Sequence, residues 1–115
     1  MNKGVRTIIY PVQDVARAKK LFRNLLGVEP YADQQYYVGF KIGDQDIGLV
    51  PKSQGPMAMA TGMTAFYHVD NIKQSLQSLL NDGAKIQQDI KDVGGGRLIA
   101  SATDADGNII GLIQG

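Results

Sequence analysis

The hydrophobic positions of the chain follow the same pattern twice: a β-like run comes first, and helical spacing follows it. Residues 5–11 and 64–69 are rich in Val, Ile, Tyr and Phe, which predicts a strand in each place. After each run the apolar residues recur three or four positions apart, as on one face of a helix. The two predicted helical faces consist of Val15, Ala18, Leu21, Phe22, Leu25 and Leu26, and of Ile72, Leu76, Leu79 and Leu80.

The residues that flank these stripes are helix boundary signals. Asp14 precedes the first stripe, and either Asp70 or Asn71 precedes the second. Their side-chain oxygens can accept the unpaired amide hydrogens of a first helical turn. Gly27 and Gly83 follow the stripes, where glycine favours helix termination. We therefore predict two amphipathic helices, each bounded at both ends.

Further strands are predicted after each helix. Residues 36–42 and 45–50 form a candidate hairpin around Gly43-Asp44. Three more strands are predicted near residues 84–89, 97–103 and 109–114. Glycines 94–96 and the turn at 104–108 separate them.

Matching residues show that the second half of the chain repeats the first. Thr7 and Thr64 lie 57 positions apart, and Ile-Gly-Leu occurs at both 47–49 and 110–112. Two copies of this length are too few and too long for a solenoid of short repeats. We expect one domain over residues 1–115, with a first module at about 4–51, a linker at 52–62 and a second module at about 63–115.

Composition narrows the function classes. The 115 residues are 43% hydrophobic and 20% charged, which is typical of a globular domain. The net charge of +1 and the scattered basic residues argue against a nucleic-acid partner. No apolar run approaches the roughly 18 residues needed to cross a membrane. The absence of cysteine and of a signal-like segment predicts a cytoplasmic protein without disulfides.

Several motifs resemble the vicinal oxygen chelate superfamily, which includes glyoxalases, extradiol dioxygenases, fosfomycin-inactivating enzymes and bleomycin-resistance proteins. The matching segments are Pro11-Val12-Gln13-Asp14, Leu26-Gly27-Val28-Glu29-Pro30, His68-Val69-Asp70-Asn71, Asp82-Gly83-Ala84 and Asp104-Ala105-Asp106-Gly107-Asn108. The resemblance implies an α+β fold in which two tandem βαβββ modules form a curved mixed β-sheet cleft. It also implies a homodimer.

The resemblance further implies one divalent metal in that cleft, held from four strand positions. In this chain those positions correspond to Thr7, Gly48, Thr64 and Gly111. Threonine hydroxyls are poor ligands for transition metals, and glycine has no side chain to offer. We therefore expect neither a metal nor another cofactor.

Without a metal, the predicted cleft is a pocket for an organic small molecule. The two glycines are expected to leave its centre empty of side chains, with polar and aromatic groups around it. His68, the single histidine, is either a catalytic base or a strand-end residue bonded to the backbone. The predicted ligand-binding residues are Thr7, Ile9, Tyr37, Gly48, Val50, Thr64, Phe66, His68 and Gly111.

Four aspartates lie at or near predicted turns: Asp44, Asp46, Asp104 and Asp106. Turns favour aspartate because its carboxylate bonds nearby backbone amides, so we assign all four to turn structure. The favoured function is metal-free binding of an organic small molecule. The alternatives are a lyase, isomerase or dioxygenase-type enzyme that uses His68, and a domain with a filled cleft that serves a larger assembly.

Overall fold

The computed structural model describes residues 2–55, 58–59 and 62–115; the predicted linker at 52–62 therefore lies partly outside the described residues. Over the described residues the chain forms two helices and eight strands, an α+β fold as predicted. The elements are β1 Asn2–Val12, α1 Val15–Leu26, β2 Ala32–Gln34, β3 Tyr37–Ile42, β4 Gln45–Pro51, β5 Thr64–Val69, α2 Ile72–Asn81, β6 Lys85–Asp92, β7 Leu98–Thr103 and β8 Ile109–Gln114.

The chain divides into two compact units. The N-terminal unit is Thr7–Met63, and the C-terminal unit is Thr64–Gly115 together with the start of β1 up to Arg6. Each unit has one helix and a mixed set of strands. No helix of the described residues has the length and apolar character required to cross a membrane.

In the N-terminal unit the strands lie in the order β2-β3-β4-β1. β4 pairs in parallel with β1 and antiparallel with β3, so Gly48 lies opposite both Ile9 and Gly39. Helix α1 covers one face of these strands, where Val38, Phe40 and Leu49 form a buried core. The α1 residues that pack on this core are Val15, Ala18, Phe22 and Leu26.

Helix α1 begins and ends as predicted, but its buried face is narrower. Asp14 caps the start by accepting from the Arg17 amide at 3.1 Å, and Gly27 ends the helix with a φ of 74°. Leu21 and Leu25, which belong to the predicted apolar face, are 60% and 71% exposed. At about 100° of rotation per residue, Leu21 lies about 105° and Leu25 about 65° from the centre of the packed stripe, toward the side of the helix that the strands do not cover.

In the C-terminal unit, β8 pairs in parallel with β5 and antiparallel with β7. β7 in turn pairs with β6 through a ladder with two register shifts between Ile86 and Lys91. Helix α2 packs on this unit through Ile72 and Leu76, which are both buried. The strand residues in the same core are Val69, Ala100, Ala102 and Leu112.

The start of α2 settles which of two residues caps it. Asn71, rather than Asp70, accepts from the Gln74 amide at 3.1 Å. The amide of Ile72, the first residue of the helix, donates to the Gln114 side-chain oxygen at 2.7 Å. Two unpaired amides of the first turn are thus satisfied, and the helix start is joined to the end of β8.

Candidate ligand-binding face of the N-terminal unit

Strand alternation separates two faces in the N-terminal unit. Leu49 belongs to the core under α1, so Gly48 and Val50 lie on the opposite face of β4. By the same alternation Thr7 and Ile9 lie on that face of β1, and Tyr37 on that face of β3. The structure therefore brings five of the predicted ligand-binding residues together on the face opposite α1.

The glycines of this fold do not leave the empty centre that the sequence analysis predicted. A Cβ atom built on Gly48 would lie 2.6 Å from Ile9 Cδ1 and 2.9 Å from Tyr37 Cε1. In the C-terminal unit, a Cβ atom on Gly111 would lie 2.7 Å from Phe66 Cδ1. Neighbouring side chains thus occupy the space above both glycines, since glycine permits this close approach.

A third glycine has the same role beside the candidate site. A Cβ atom on Gly39 would lie 2.7 Å from Tyr31 Cζ, so the Tyr31 ring lies directly over this glycine. The Tyr31 amide also donates to the Gly39 carbonyl at 2.9 Å. Both contacts hold Tyr31, just before β2, against β3.

The Tyr31 hydroxyl is the centre of a hydrogen-bonded cluster. It lies 2.8 and 3.0 Å from the two carboxylate oxygens of Asp46 and 3.1 Å from the Tyr37 hydroxyl. Asp46 is only 6% exposed, whereas Tyr31 is 50% exposed. The buried Asp46 carboxylate is therefore bonded to the hydroxyl of a tyrosine whose ring is half exposed to solvent.

The donors in this cluster can be assigned from the number of hydrogens. Tyr31 has one hydroxyl hydrogen, and the ionised carboxylate of Asp46 can only accept, so Tyr31 donates to Asp46. Tyr37 must then donate to the Tyr31 oxygen. Burial, followed by the bonds to Tyr37 and Asp46, raises the pKa of Tyr31 above its usual value of 10, which keeps its phenol neutral. The hydrogen bonds therefore run in one direction, from Tyr37 to Tyr31 and from Tyr31 to Asp46.

The assignment of Asp46 to turn structure was wrong. Asp46 lies within β4, one residue after Gln45 begins the strand, and its side chain is buried rather than folded back on a turn. The sequence signal was available: Asp46 precedes Gly48 by two positions, so alternation puts both on one face. Proximity to the turn at Gly43-Asp44 outweighed that signal.

The surroundings of Asp46 are polar on both neighbouring strands. Thr7 on β1 and Lys41 on β3 are its register partners. The Lys41 ammonium lies 5.9 Å from the centroid of the Tyr31 ring, within the range of a cation–π contact. Over the described residues, Asp46 forms no ion pair with a lysine, arginine or histidine.

The other predicted site residues belong to the C-terminal unit. Thr64, Phe66 and His68 alternate along the face of β5 opposite α2, with the first two buried and His68 half-buried. Phe66 and Gly111 are register partners. On the same face of β7, the neighbour of β8, the Ser101 hydroxyl donates to the Gln87 side-chain oxygen.

A metal site requires donor side chains gathered in one place. No group of three or more histidine, cysteine, aspartate or glutamate side chains is present in the described part of the chain. Gly48 and Gly111, at two of the ligand positions implied by the resemblance, carry no donor side chain, and the nearest atom beside each is a side-chain carbon, from Ile9 and Phe66 respectively. These residues do not fit a transition metal.

Comparison with known proteins identifies both a family and a fold. The model of the Glyoxalase/Bleomycin resistance protein/Dioxygenase superfamily matches residues 4–112. No curated protein sequence gives a significant match.

Three solved structures illustrate the shared fold. A hypothetical protein from Bacillus halodurans has a TM-score of 0.80 at 15% identity, covering 99% of this chain and 94% of that one. Methylmalonyl-CoA epimerase from Mycobacterium tuberculosis has a TM-score of 0.78 at 14% identity, with coverages of 98% and 88%. A glyoxalase/bleomycin resistance protein/dioxygenase superfamily member from Vibrio splendidus has a TM-score of 0.70 at 16% identity, with coverages of 99% and 98%.

Proposed function

Because the chain belongs to the glyoxalase/bleomycin resistance protein/dioxygenase superfamily, we propose that it is a metal-free protein that binds an organic small molecule. The ligand contacts the face of the N-terminal unit opposite α1. The observation that carries the proposal is the cluster of Tyr31, Tyr37 and Asp46, in which the Tyr31 phenol bonds to a buried carboxylate and the Tyr37 phenol bonds to Tyr31.

The chemistry of this face supports ligand binding. Small-molecule sites are mostly apolar, with a few polar groups that orient the ligand. Here the partly exposed rings of Tyr31 and Tyr37 supply the apolar surface, and their hydroxyls supply polar groups. Tyr31 gives the buried polar groups a route to solvent, because half of its surface is exposed.

Binding without a metal is supported by the donor set. The single histidine lies in the C-terminal unit, and the Asp46 carboxylate is already bonded to a phenol. Hydrogen bonds and aromatic contacts are the interactions that the N-terminal face offers. The mechanism is therefore recognition by shape and hydrogen bonding, followed by storage or delivery of the ligand.

The proposal is tested by native mass spectrometry and elemental analysis of protein purified without chelator or a histidine tag. We expect an organic adduct and substoichiometric metal. Asp46→Asn should lose the adduct, whereas Asp44→Asn, the matched change in the exposed turn nearby, should retain it. Stoichiometric metal, or an adduct that survives Asp46→Asn unchanged, would contradict the proposal.

An enzymatic function is the second candidate, supported by the position of His68. This side chain is half-buried on the face of β5 opposite α2, where an imidazole can accept a proton while remaining in reach of a substrate. Several structural neighbours are methylmalonyl-CoA epimerases. We therefore include methylmalonyl-CoA, a thioester, among the substrates to be tested.

The enzymatic candidate is tested by deuterium exchange. The protein is incubated with methylmalonyl-CoA in D₂O, and mass spectrometry measures incorporation at the carbon next to the thioester. Exchange that exceeds the buffer rate and is abolished by His68→Gln, but not by Tyr67→Phe, would establish a base at position 68. Exchange at the buffer rate would reject this substrate.

The homodimer implied by the resemblance is also proposed. Leu21 and Leu25 leave apolar surface exposed on α1, which a second subunit would cover. Light scattering should give twice the mass of the chain, and a concentration-independent monomer mass would contradict the dimer. Cytoplasmic location remains a prediction from composition.

A further inference from the structure

We infer that Asp46 is the binding partner of a protonated amine on the ligand, so that the chain recognises organic ammonium compounds. This inference rests on the proposed function and specifies the ligand's chemical class. It follows from three features of the N-terminal unit: the burial of a carboxylate, the direction of its hydrogen bonds and the aromatic ring beside it.

The first feature is a buried charge that the described residues do not neutralise. Asp46 is 6% exposed, and its hydrogen-bond partner is the neutral phenol of Tyr31. A phenol stabilises a carboxylate by one hydrogen bond but contributes no positive charge. Burying a carboxylate is costly, and proteins normally offset that cost with a cation. An ammonium group on the ligand would supply it.

The second feature is the supply of acceptors in the cluster. The Asp46 carboxylate has about four lone-pair positions, of which one phenol hydrogen fills only part. The hydrogens of Tyr31 and Tyr37 are both directed inward, along the chain of bonds toward Asp46. A ligand therefore meets oxygen lone pairs on this path. These favour N–H donors and disfavour a carboxylate or phosphate, whose charge Asp46 would repel.

The third feature is a ring that already has an ammonium group beside it. The Lys41 Nζ lies 5.9 Å from the centroid of Tyr31. An aromatic face attracts a cation through its quadrupole. Lys41 is exposed, so its flexible side chain can move aside when a ligand arrives. The contact shows that the Tyr31 ring and an ammonium group are compatible at this place.

Access to Asp46 depends on Tyr31. Its ring lies over Gly39 and is half exposed, so it can swing toward solvent without opening the core under α1. In the free protein the phenol occupies a hydrogen-bonding position on the carboxylate. In the complex the ligand's ammonium takes that position, and the Tyr31 ring lies at the side of the bound group.

The test compares three small probes that share one ring and differ in their polar group: benzylammonium, benzyl alcohol and benzoate. Binding to the full chain is followed by ¹H–¹⁵N NMR, using the amides of Gly39, Asp46 and Gly48. We expect benzylammonium to bind about tenfold more tightly than benzyl alcohol, because its bond to Asp46 is charge-assisted. Benzoate should bind most weakly.

Two variants locate the effect. Asp46→Asn should remove the preference for benzylammonium, whereas Asp44→Asn should preserve it with the same change in net charge. Tyr31→Phe removes the phenol hydrogen that competes for Asp46, so it should leave benzylammonium binding equal or tighter. Because Tyr31→Phe keeps the carboxylate, it remains informative if Asp46→Asn does not fold.

The outcomes separate this inference from the proposed function. Equal binding of the alcohol and the ammonium, a preference for benzoate, or no binding of any probe would overturn the inference. So would a preference that persists in Asp46→Asn or is lost in Tyr31→Phe. A co-purified neutral ligand that depends on Asp46 would leave the proposed function standing while rejecting the ammonium.

Discussion

The two units share an element order but differ in the side chains opposite their helices. In the N-terminal unit that face carries a carboxylate and two phenols joined by hydrogen bonds, centred on Asp46. In the C-terminal unit the corresponding face buries Phe66 and Ile99, and Ser101 bonds to Gln87. The comparison teaches that the two copies of the repeat carry different chemistry on this face: a carboxylate with two phenols in one copy, and a buried ring beside Thr64 and His68 in the other.

The glycines sharpen this difference. Gly48 and Gly111 are matching residues of the repeat, and a ring lies against each. The ring over Gly48 is Tyr37 from the antiparallel neighbour β3, with its hydroxyl in the polar cluster. The ring on Gly111 is Phe66 from the parallel neighbour β5, which has no polar group. In both units a strand glycine leaves room for an aromatic ring, and that ring is polar in one unit and apolar in the other.

The largest expected effect is in the apolar face. Phe66→Ala removes a buried ring and leaves a void beside Gly111, so it should lower the free energy of unfolding by about 3–5 kcal/mol. Urea denaturation measures this change. The control is Tyr67→Ala, the next residue on the opposite side of β5, which is partly exposed and should cost much less. Equal losses would remove the distinction.

A second comparison adds one methyl group to each unit. In Gly111→Ala the new Cβ would lie 2.8 Å from the Ala65 carbonyl oxygen, a backbone atom that cannot easily move. In Gly48→Ala the closest atoms belong to the Ile9 and Tyr37 side chains, which can shift. We expect losses of about 1–3 kcal/mol, with Gly111→Ala the more damaging. The reverse order in thermal or urea unfolding would contradict this account.

A third substitution disturbs the polar cluster by adding a methyl group beneath the Tyr31 ring. Gly39→Ala should push the Tyr31 ring outward and break its bond to Asp46, at a cost of about 1–2 kcal/mol. In a Tyr31→Ala background the same methyl group meets no ring and should cost little. A double-mutant cycle measures this coupling, and additive losses would show that Tyr31 does not transmit the effect.

The polar cluster should also make stability sensitive to alkali. The pKa of Tyr31 is raised in the folded state, mainly by burial and then by its bonds to Tyr37 and Asp46. The folded protein therefore holds this proton more tightly than the unfolded chain. Stability should be retained below about pH 10, the unfolded tyrosine value, and fall as pH rises above it. Tyr31→Phe should flatten that fall in pH-dependent denaturation; an unchanged slope would contradict it.

The smallest expected effect is at acid pH in the C-terminal unit. Bonds from the Asn108 side chain and backbone, together with those of neighbouring amides, lower the pKa of Asp104. The stability from this carboxylate is present above about pH 3.9 and is lost as pH falls through that value and below. Asp104→Asn should reduce the acid-dependent loss slightly, while Asp89→Asn provides a surface control. Identical acid profiles for Asp104→Asn and the parent would exclude this contribution.

The features that followed from the sequence are those set by local chemistry. Asp14 and Gly27 bound α1 as expected, because a cap depends on residues within one or two turns. Leu21 and Leu25 were misplaced because burial depends on how much of the helix the strands cover. Strand β2 was missed because its residues, Ala32–Gln34, have no apolar alternation and gain their order from pairing with β3.

The candidate site could be predicted only in part from the sequence. The predicted ligand-binding set included Tyr37 and Gly48, which lie on one face of the N-terminal unit, but local sequence does not show which side chain fills the space over a glycine. Tyr31 and Asp46 were missed as a pair because fifteen positions separate them and β3 brings them together. Long-range register, rather than residue type, creates the cluster.

The outer strands of the two units limit unwanted association. β2 has three residues at the end of the strand order in the N-terminal unit, so it offers a short ladder to another chain. β6 ends the order in the C-terminal unit, and its two register shifts interrupt the regular row of amides and carbonyls. Short and bulged edges are poor templates for adding a foreign strand. These edges therefore reduce the risk of aggregation through strand addition during storage or at high concentration.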